Sequence, residues 1–252
     1  MRFRAPECWR SAFADLRADA ARYVYYDDAT SQPTLRQGVR ALLANQGLQA
    51  MALYRLARML RCCGDCGVIA RIVAACGRPI YPVLSRLNDI ANGIWISPEA
   101  EIGPGLYIAH YGGIVISVSK IGSNCNIGNS VTIGRSGRGV NAGRPVLADR
   151  VVVAVGARVL GAIAVGEDAM VGANSVAIRD VPARAVVSGV PARRISSWGS
   201  FDYLEYPGMG EDEARAESLA RRAQEQRDQE QRAQEQRVQA GPPHVGEAGP
   251  SA

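Results

Sequence analysis

The sequence predicts a mainly β fold, a parallel β-helix preceded by an α-helical N-terminal region and followed by a polar tail. Branched apolar residues recur every six positions over 94–177, glycine is frequent (27 of 252 residues), and aromatic residues make up only 6%. This period is neither that of a helix nor that of a half-buried strand, and it is typical of coils that stack short strands. We expect helices over 1–92, the β-helix over 93–195, and a linker with a disordered polar tail over 196–252.

Region 1–92 shows apolar and charged residues at helical spacing. A first helix is expected over 9–24, and Thr34 is placed to cap a second helix whose apolar stripe covers 35–60. A third helix begins near residue 68 and is expected to be interrupted near Pro79. Because arginines divide the apolar runs, we expect no transmembrane span. We expect these helices to pack against the rest of the protein, and contact with a membrane surface is the alternative.

The six-residue repeat fixes which side chains point inward. We expect each apolar residue of the repeat to enter a narrow interior and the small residues after it to occupy tight turns. Two steps depart from six, since Ile114 to Ile121 is seven and Ile133 to Leu147 is fourteen. The longer step contains the polar, glycine-rich segment 135–144, expected to leave the coil as a ligand-binding loop. The expected inward residues are Ile96, Ile102, Ile108, Ile114, Ile121, Ile127, Ile133, Leu147, Val153, Val159, Val165, Val171 and Ala177.

Residue usage excludes several kinds of site. The net charge is +5, carried almost wholly by arginine, which favours phosphate or carboxylate partners; without a nucleic-acid-binding motif we expect no nucleic acid. Only His110 and His244 occur, which excludes a three-histidine metal site, and Cys63 with Cys66 lacks the further ligands of a zinc site. We therefore expect no metal. Since no secretory signal is visible, we expect a cytoplasmic protein with reduced cysteines.

His110 is the strongest candidate for chemistry. It stands at a turn of the repeat, and Gly112 and Gly113 beside it allow a ligand to approach the backbone. Imidazole can remove a proton from an alcohol at neutral pH, so His110 is a candidate general base; the alternative is a histidine that only fills the turn. Segment 134–139 is not a phosphate-binding loop, because Val140 stands where lysine is required.

Residues 35–195 resemble the hexapeptide-repeat acyltransferases, and most of all the serine acetyltransferases. The resemblance rests on Gly-Ile-x-Ile-x-Pro at 93–98, His-x-x-Gly-Ile-Val at 110–115, Ser-Val-Thr-Ile-Gly at 130–134 and Gly-Val-Pro-Ala-Arg at 189–193. It implies a left-handed β-helix, a homotrimer, and acetyl-CoA as co-substrate in a groove between subunits. It also implies direct acetyl transfer to the serine hydroxyl, the first step of cysteine synthesis from serine, with His110 as base and backbone N–H groups stabilising the oxyanion.

The resemblance further implies binding residues. The positions that match those holding the coenzyme in the family are Gly134, Ser136, Gly137, Arg138, Ala154, Ala173, Arg179 and Arg193. On the acceptor side, Trp95 and Ala109 stand where the family has aspartates, and Arg144 ends a Gly-Arg pair where it has Arg-His. These departures keep a second hypothesis open, acetyl transfer to a sugar hydroxyl of a polysaccharide, glycan or natural product. A non-catalytic β-helix scaffold is a third.

The same resemblance also bears on how copies of the chain assemble. Two trimers could pair, as an alternative to a single trimer. A complex with the next enzyme of cysteine synthesis is not expected, because the family's C-terminal isoleucine is absent and the sequence ends in Pro-Ser-Ala.

Overall fold

A computed structural model describes residues 5–28, 33–62, 67–136 and 141–240 of the chain. The helical region and the β-helix belong to one compact unit that ends at Gly210, and a second unit begins at Glu211. The helices that precede the strands are α1 Ala5–Asp28, α2 Leu35–Ala44, α3 Gln46–Cys62 and α4 Gly67–Asn92. No helix in the described ranges is both long enough and apolar enough to span a membrane.

Two expectations about the helices are wrong, although the cap is placed as predicted. The Thr34 hydroxyl accepts the N–H of Gln37, and the Gln37 side chain accepts the N–H of Thr34. The apolar stripe after it is divided at Asn45, whose extended backbone ends α2. The interruption near Pro79 does not occur, and α4 continues through Pro79 and Pro82. Both prolines are exposed, so water can satisfy the carbonyl groups whose helical partners they remove.

The strands are two to four residues long and form three sheets. Sheet A contains β1, β4, β7, β10 and β13; sheet B contains β2, β5, β8 and β11; sheet C contains β3, β6, β9, β12, β14 and β15. Their bounds are β1 Ile94–Ile96, β2 Glu101–Ile102, β3 Tyr107–Ile108, β4 Ile114–Ile116, β5 Lys120–Ile121, β6 Asn126–Ile127, β7 Thr132–Gly134, β8 Val146–Leu147, β9 Val152–Val153, β10 Arg158–Leu160, β11 Ala164–Val165, β12 Met170–Val171, β13 Val176–Ala177, β14 Val186–Ser188 and β15 Arg193–Ser196. Pairing is parallel except between β14 and β15. One strand from each sheet makes one coil, which confirms the predicted parallel β-helix.

The interior is filled by the apolar residues of the repeat. In sheet C, for example, Ile108, Ile127, Val153 and Val171 pair in register down successive coils. All the expected inward residues are buried, with no more than 8% of any of them exposed. Branched aliphatic side chains of similar size therefore stack into one continuous core, which aromatic rings would not fit.

One assignment within the repeat is corrected by the register. Ile116 stacks on Ile96 in sheet A, where the six-residue count places Ile114, although both isoleucines are buried. Ile108 and Ile116, the inward residues of consecutive strands in this coil, are therefore eight positions apart. The equivalent residues of the following coil, Ile127 and Ile133, are six positions apart. The extra residues lie in the turn that contains His110. We call residues 109–113 the expanded turn. The sequence count assigned the irregularity to the step from Ile114 to Ile121 and so did not locate this turn.

Side chains of α1 and α3 cover the free edge of the first coil. The Tyr54 hydroxyl donates to the carbonyl of Ala100 (2.6 Å) and accepts the N–H of Ile102 (3.2 Å). On the adjacent side, the Tyr23 hydroxyl accepts the N–H of Ile108 (3.0 Å) and donates to its carbonyl (3.1 Å). An uncovered edge would leave these polar groups unpaired and open to further strands. The helices thus end the β-helix and fix β3, which leads into the expanded turn.

The segment 196–252, expected to be a linker and a disordered tail, is ordered over much of its length. Phe201 and Leu204 are buried, and the Ser200 hydroxyl donates to the carbonyl of Arg150 at 2.7 Å. In the second unit, α5 is a helix of 28 residues, Glu213–Ala240. Alanine, glutamine, glutamate and arginine are strong helix formers, and Glu217 pairs with Arg221 one turn later (3.4 Å). Local propensity therefore forms this helix without an apolar face.

Candidate active site

His110 lies where sheet C meets sheet A, an edge that we call the C–A edge. Its backbone is left-handed, with φ of 63°, and Gly112 and Gly113 follow with φ of 90° and 68°. This conformation lifts the expanded turn out of the coil, and the N–H of Gly112 donates to the carbonyl of Asn92 at 3.0 Å. The side chain of His110 is exposed. The two glycines that the sequence singled out therefore serve the backbone of the turn.

The imidazole of His110 has no hydrogen-bond partner within the described part of the chain. Trp95, which is 39% exposed, and Ala109 supply no carboxylate at the positions where the family has aspartates. No described side chain therefore orients the ring. On the same turn, the N–H of Gly113 donates to no described carbonyl, which leaves it available to an oxyanion.

Two predicted coenzyme residues, Ala154 and Ala173, follow sheet C on the C–A edge in later coils. Ala154 aligns with Ala109 two coils away, by continuation of the sheet C register. Its N–H already donates to the carbonyl of Val171 at 2.9 Å, so only its small side chain can serve a ligand. Ala173 is exposed, and its N–H donates to no carbonyl in the described ranges. Ala173 is therefore the better placed of the two to bind a ligand amide.

The predicted coenzyme loop leaves from the other edge of sheet A, where it meets sheet B, which we call the A–B edge. At its base the N–H of Ser136 donates to the carbonyl of Gly143 at 3.2 Å. A Cβ atom on Gly134 would meet no atom within 4 Å, so open space lies beside the start of the loop. Gly137 and Arg138 lie outside the described residues.

The remaining predicted arginines do not gather at one point. Arg179 follows β13 on the A–B edge and is exposed, and Arg193 is exposed in β15 of sheet C. Arg144, expected on the acceptor side, pairs with Glu99 at 2.8 Å. The hydrogen bond and charge of Arg144 lower the pKa of the Glu99 carboxyl. Arg144 is thus engaged within its own chain.

Sheet A separates these two groups of candidate residues. Its strand β4 is three residues long. At about 3.3 Å per residue, the C–A and A–B edges at its two ends lie roughly 10 Å apart. His110 and Ala173 stand on one side, and Gly134 and Ser136 on the other. The structure does not bring the base and the described part of the loop together within one chain.

A cavity of about 340 Å³ between α4 and β1 was not found by sequence reasoning. Tyr81, Ser85, Arg86 and Asp89 line it from α4, and Trp95 lines it from β1. The three- and four-residue spacing of the α4 residues was a signal that they share one helix face. Nothing in the sequence showed that this face meets Trp95.

Metal ligands do not cluster in the residues that the structure describes, where no three His, Cys, Asp or Glu side chains come together. Cys63 and Cys66, the pair considered for zinc, lie outside those residues.

No protein-family model matches the sequence. Comparison with curated proteins and solved structures finds serine acetyltransferases. A serine acetyltransferase of Synechococcus elongatus is 37% identical over 186 residues, 73% of this chain and 71% of that protein. The structure is similar to serine acetyltransferase of Brucella abortus in complex with coenzyme A, with a TM-score of 0.60 and 27% identity over 75% of this chain and 70% of that chain. It is also similar to the Neisseria gonorrhoeae serine acetyltransferase in complex with serine, with a TM-score of 0.55 and 27% identity over 75% of this chain and 74% of that chain. These likenesses confirm the left-handed β-helix with a helical N-terminal region.

Proposed function

The chain belongs to the serine acetyltransferase family, and from this premise we propose that it transfers the acetyl group of acetyl-CoA to the hydroxyl of serine, with His110 as general base. The observation that carries the assignment of the base is an exposed imidazole on a left-handed turn at the C–A edge. Such a ring can receive a hydroxyl proton without first breaking a bond within its own chain.

The proposed transfer is direct and passes through a tetrahedral intermediate. A ring nitrogen of His110 accepts the hydroxyl proton as the serine oxygen attacks the thioester carbonyl carbon. The N–H of Gly113 stabilises the oxyanion from the same turn. When the intermediate collapses, the C–S bond breaks, and the imidazolium returns its proton to the leaving thiolate. The products are O-acetylserine and coenzyme A with a free thiol.

A complete site of this kind calls for a second copy of the chain. If the C–A edge of one copy faces the A–B edge of the next, Gly134 and Ser136 approach His110 across the contact. Because two different edges meet, the contact is heterologous, and repetition of it closes a ring. We propose a homotrimer with one site at each of its three contacts.

Acetyl-CoA then lies along the C–A edge between two copies. The N–H of Ala173 is free to donate to a carbonyl of the pantetheine chain, and Arg179, Arg193 and Arg138 are the proposed partners of the phosphates. Because acetyl-CoA is an intracellular metabolite, the proposal also places the reaction in the cytoplasm.

A second candidate function, acetyl transfer to a sugar hydroxyl, is favoured by the acceptor side. Trp95 and Ala109 replace the aspartates of the family, and Arg144 is bound to Glu99. An amino acid needs a carboxylate for its ammonium group and a cation for its carboxylate. A neutral hydroxylated ring needs neither.

The test is release of free thiol from acetyl-CoA with L-serine and with a panel of sugars. We expect His110→Ala to lower turnover by about 10²–10⁴-fold, the usual contribution of a general base, while calorimetry still detects coenzyme binding. His244→Ala is the matched control and should leave turnover unchanged. Turnover with serine supports the first function and turnover with sugars alone the second. Full activity of His110→Ala excludes the base role.

A further inference from the structure

One face of α4 is apolar and exposed, and it has no part in the proposed reaction. Its residues follow one another at spacings of four, three, four and three, the heptad spacing at which helices pack on one another. None of them is charged. Cys76 is exposed, and the other four side chains are between 54% and 73% exposed. We call this face the α4 stripe, and it consists of Cys76, Ile80, Val83, Leu87 and Ile90.

The orientation of α4 is the reverse of that expected for an amphipathic helix. Polar residues face the rest of the chain, where the Asn88 side chain donates to the carbonyl of Ile94 at 2.9 Å. The Asn92 side chain donates to that of Asn88 at 2.8 Å and to that of Gln49 on α3 at 3.3 Å. At 3.6 residues per turn, the α4 stripe lies on the opposite side of the helix. These bonds hold an apolar face toward water, which marks an interaction surface.

The α4 stripe adjoins the outer face of sheet A. Only Gly93 separates α4 from β1, and Trp95 shares a cavity with Arg86, which stands beside Leu87 on α4. Trp95 points out of the sheet between two buried neighbours, and Val115, its partner in β4, does the same. Both side chains are 39% exposed. The apolar surface therefore extends from α4 onto sheet A.

Sheet A faces the threefold axis of the proposed trimer. Each copy meets its neighbours through its C–A edge and its A–B edge, and sheet A spans the distance between these two edges. If sheet A faced outward, the third edge of each three-sided coil would extend beyond the axis and collide with the other copies. The outer face of sheet A, with α4 beside it, is therefore directed toward the same parts of the other two copies.

We propose that the α4 stripes of the three copies pack against one another around this axis. The inference rests on the proposed function, because the shared active site defines the ring. Each stripe then meets copies of itself, and an uncharged face with heptad spacing is complementary to itself. An anionic membrane fits this face less well. Membrane-surface helices are rich in lysine or arginine, whereas α4 carries two arginines against one aspartate from Cys76 to Ile90.

Sedimentation velocity of the full chain over a range of concentrations tests the packing. We expect the unaltered protein to form at least a trimer of about 81 kDa, three times the 26.9 kDa of one chain. Ile80→Asp and Leu87→Asp should each raise the concentration at which half of the chains are monomeric by more than about tenfold, because three like charges replace three apolar side chains near one axis. Leu43→Asp is the matched control, since Leu43 is exposed on α2, and it should keep the trimer.

The outcomes separate this packing from the reaction. Circular dichroism checks that each variant is folded, and Leu87→Ser repeats the test without a charge. Dissociation of the stripe variants but not of the control supports the packing. Stripe variants as tightly associated as the control overturn it, as does an unaltered protein that is monomeric, whether or not it floats with phosphatidylglycerol vesicles. Thiol release from acetyl-CoA by the unaltered protein tests the proposed function separately, because a trimer without turnover refutes that function and leaves the packing intact.

Discussion

Replacing Asp19 by alanine should remove a clamp that holds the helices on the first coil. Asp19 on α1 is fully buried, and its carboxylate pairs with Arg55 of α3 (2.9 Å). It also accepts the N–H groups of Gly105 (2.9 Å) and Leu106 (3.2 Å), between β2 and β3. One carboxylate thus joins two helices to the coil that leads into His110.

The expected cost follows from what remains after the substitution. Arg55 keeps Asp15 (3.1 Å) and the carbonyls of Ile102 and Gly103 (2.7 Å each). Breaking a buried pair costs about 3–5 kcal/mol, and because Asp15 remains we use about 3 kcal/mol, the lower end of that range. The two amides left without an acceptor add about 1 kcal/mol each. We therefore expect a loss of about 5 kcal/mol in the free energy of unfolding.

Urea unfolding at a fixed protein concentration, followed by circular dichroism, measures this loss in the free energy of unfolding. Asp27→Ala is the matched control, because Asp27 is exposed on the same helix, and it should change the free energy of unfolding by less than about 0.5 kcal/mol. If Asp19→Ala loses less than about 1 kcal/mol, a cost no greater than that of one ordinary hydrogen bond, the Asp19 carboxylate does not hold the helices on the first coil.

Three further outcomes are expected. Tyr23→Phe leaves both polar groups of Ile108 unpaired and should lower the free energy of unfolding by about 2–4 kcal/mol in the same urea experiment. Burial raises the pKa of the Cys125 thiol to about 12, so Cys125 should stay protonated at pH 8 and react with a thiol reagent only after unfolding, as mass spectrometry of labelled peptides can show. Gly103→Ala should destabilise the coil, because its Cβ would lie 2.8 Å from the carbonyl group of Gly122 in the next coil. Gly134→Ala should not, because open space surrounds that position. The melting temperatures of the two variants test this difference.

The coil was predictable because its interior imposes a rule on every repeat. A narrow interior accepts only branched, compact side chains, so the period of six shows directly in the sequence. The expanded turn was not predictable, because Ile114 and Ile116 are equally apolar and the count alone cannot choose between them. Only the pairing of Ile116 with Ile96 shows the extra residues.

In the helical parts, a local feature could be predicted from the sequence, but the course of α4 and the order of α5 could not. Thr34 was recognised as a cap because a capping box is a local pattern. The path of α4 through Pro79 depends on which side of the helix meets water, which the sequence does not state. In α5 the absence of an apolar face suggested disorder, but residue propensity and pairs such as Glu217 with Arg221 form the helix.

For the site, sequence patterns identified single residues but not their neighbours. His110 was found because it stands beside glycines in a turn of the repeat. The contacts that fix its surroundings join distant parts of the chain, such as Tyr23 with Ile108 and Asp89 with Trp95 in one cavity. The division of the candidates between two edges of sheet A also requires the fold.

If each active site is shared between two copies of the chain, co-expression of two inactive variants should restore activity. His110→Ala removes the base at the C–A edge, and Gly134→Phe fills the open space beside the loop at the A–B edge. When the two variants are made in equal amounts and assemble at random, about a quarter of all contacts unite an intact base with an intact loop, because the interface is heterologous. We expect thiol release near that fraction of the unaltered activity with the acceptor that the unaltered protein uses. Mixed oligomers no more active than either variant alone would show that the site is not shared.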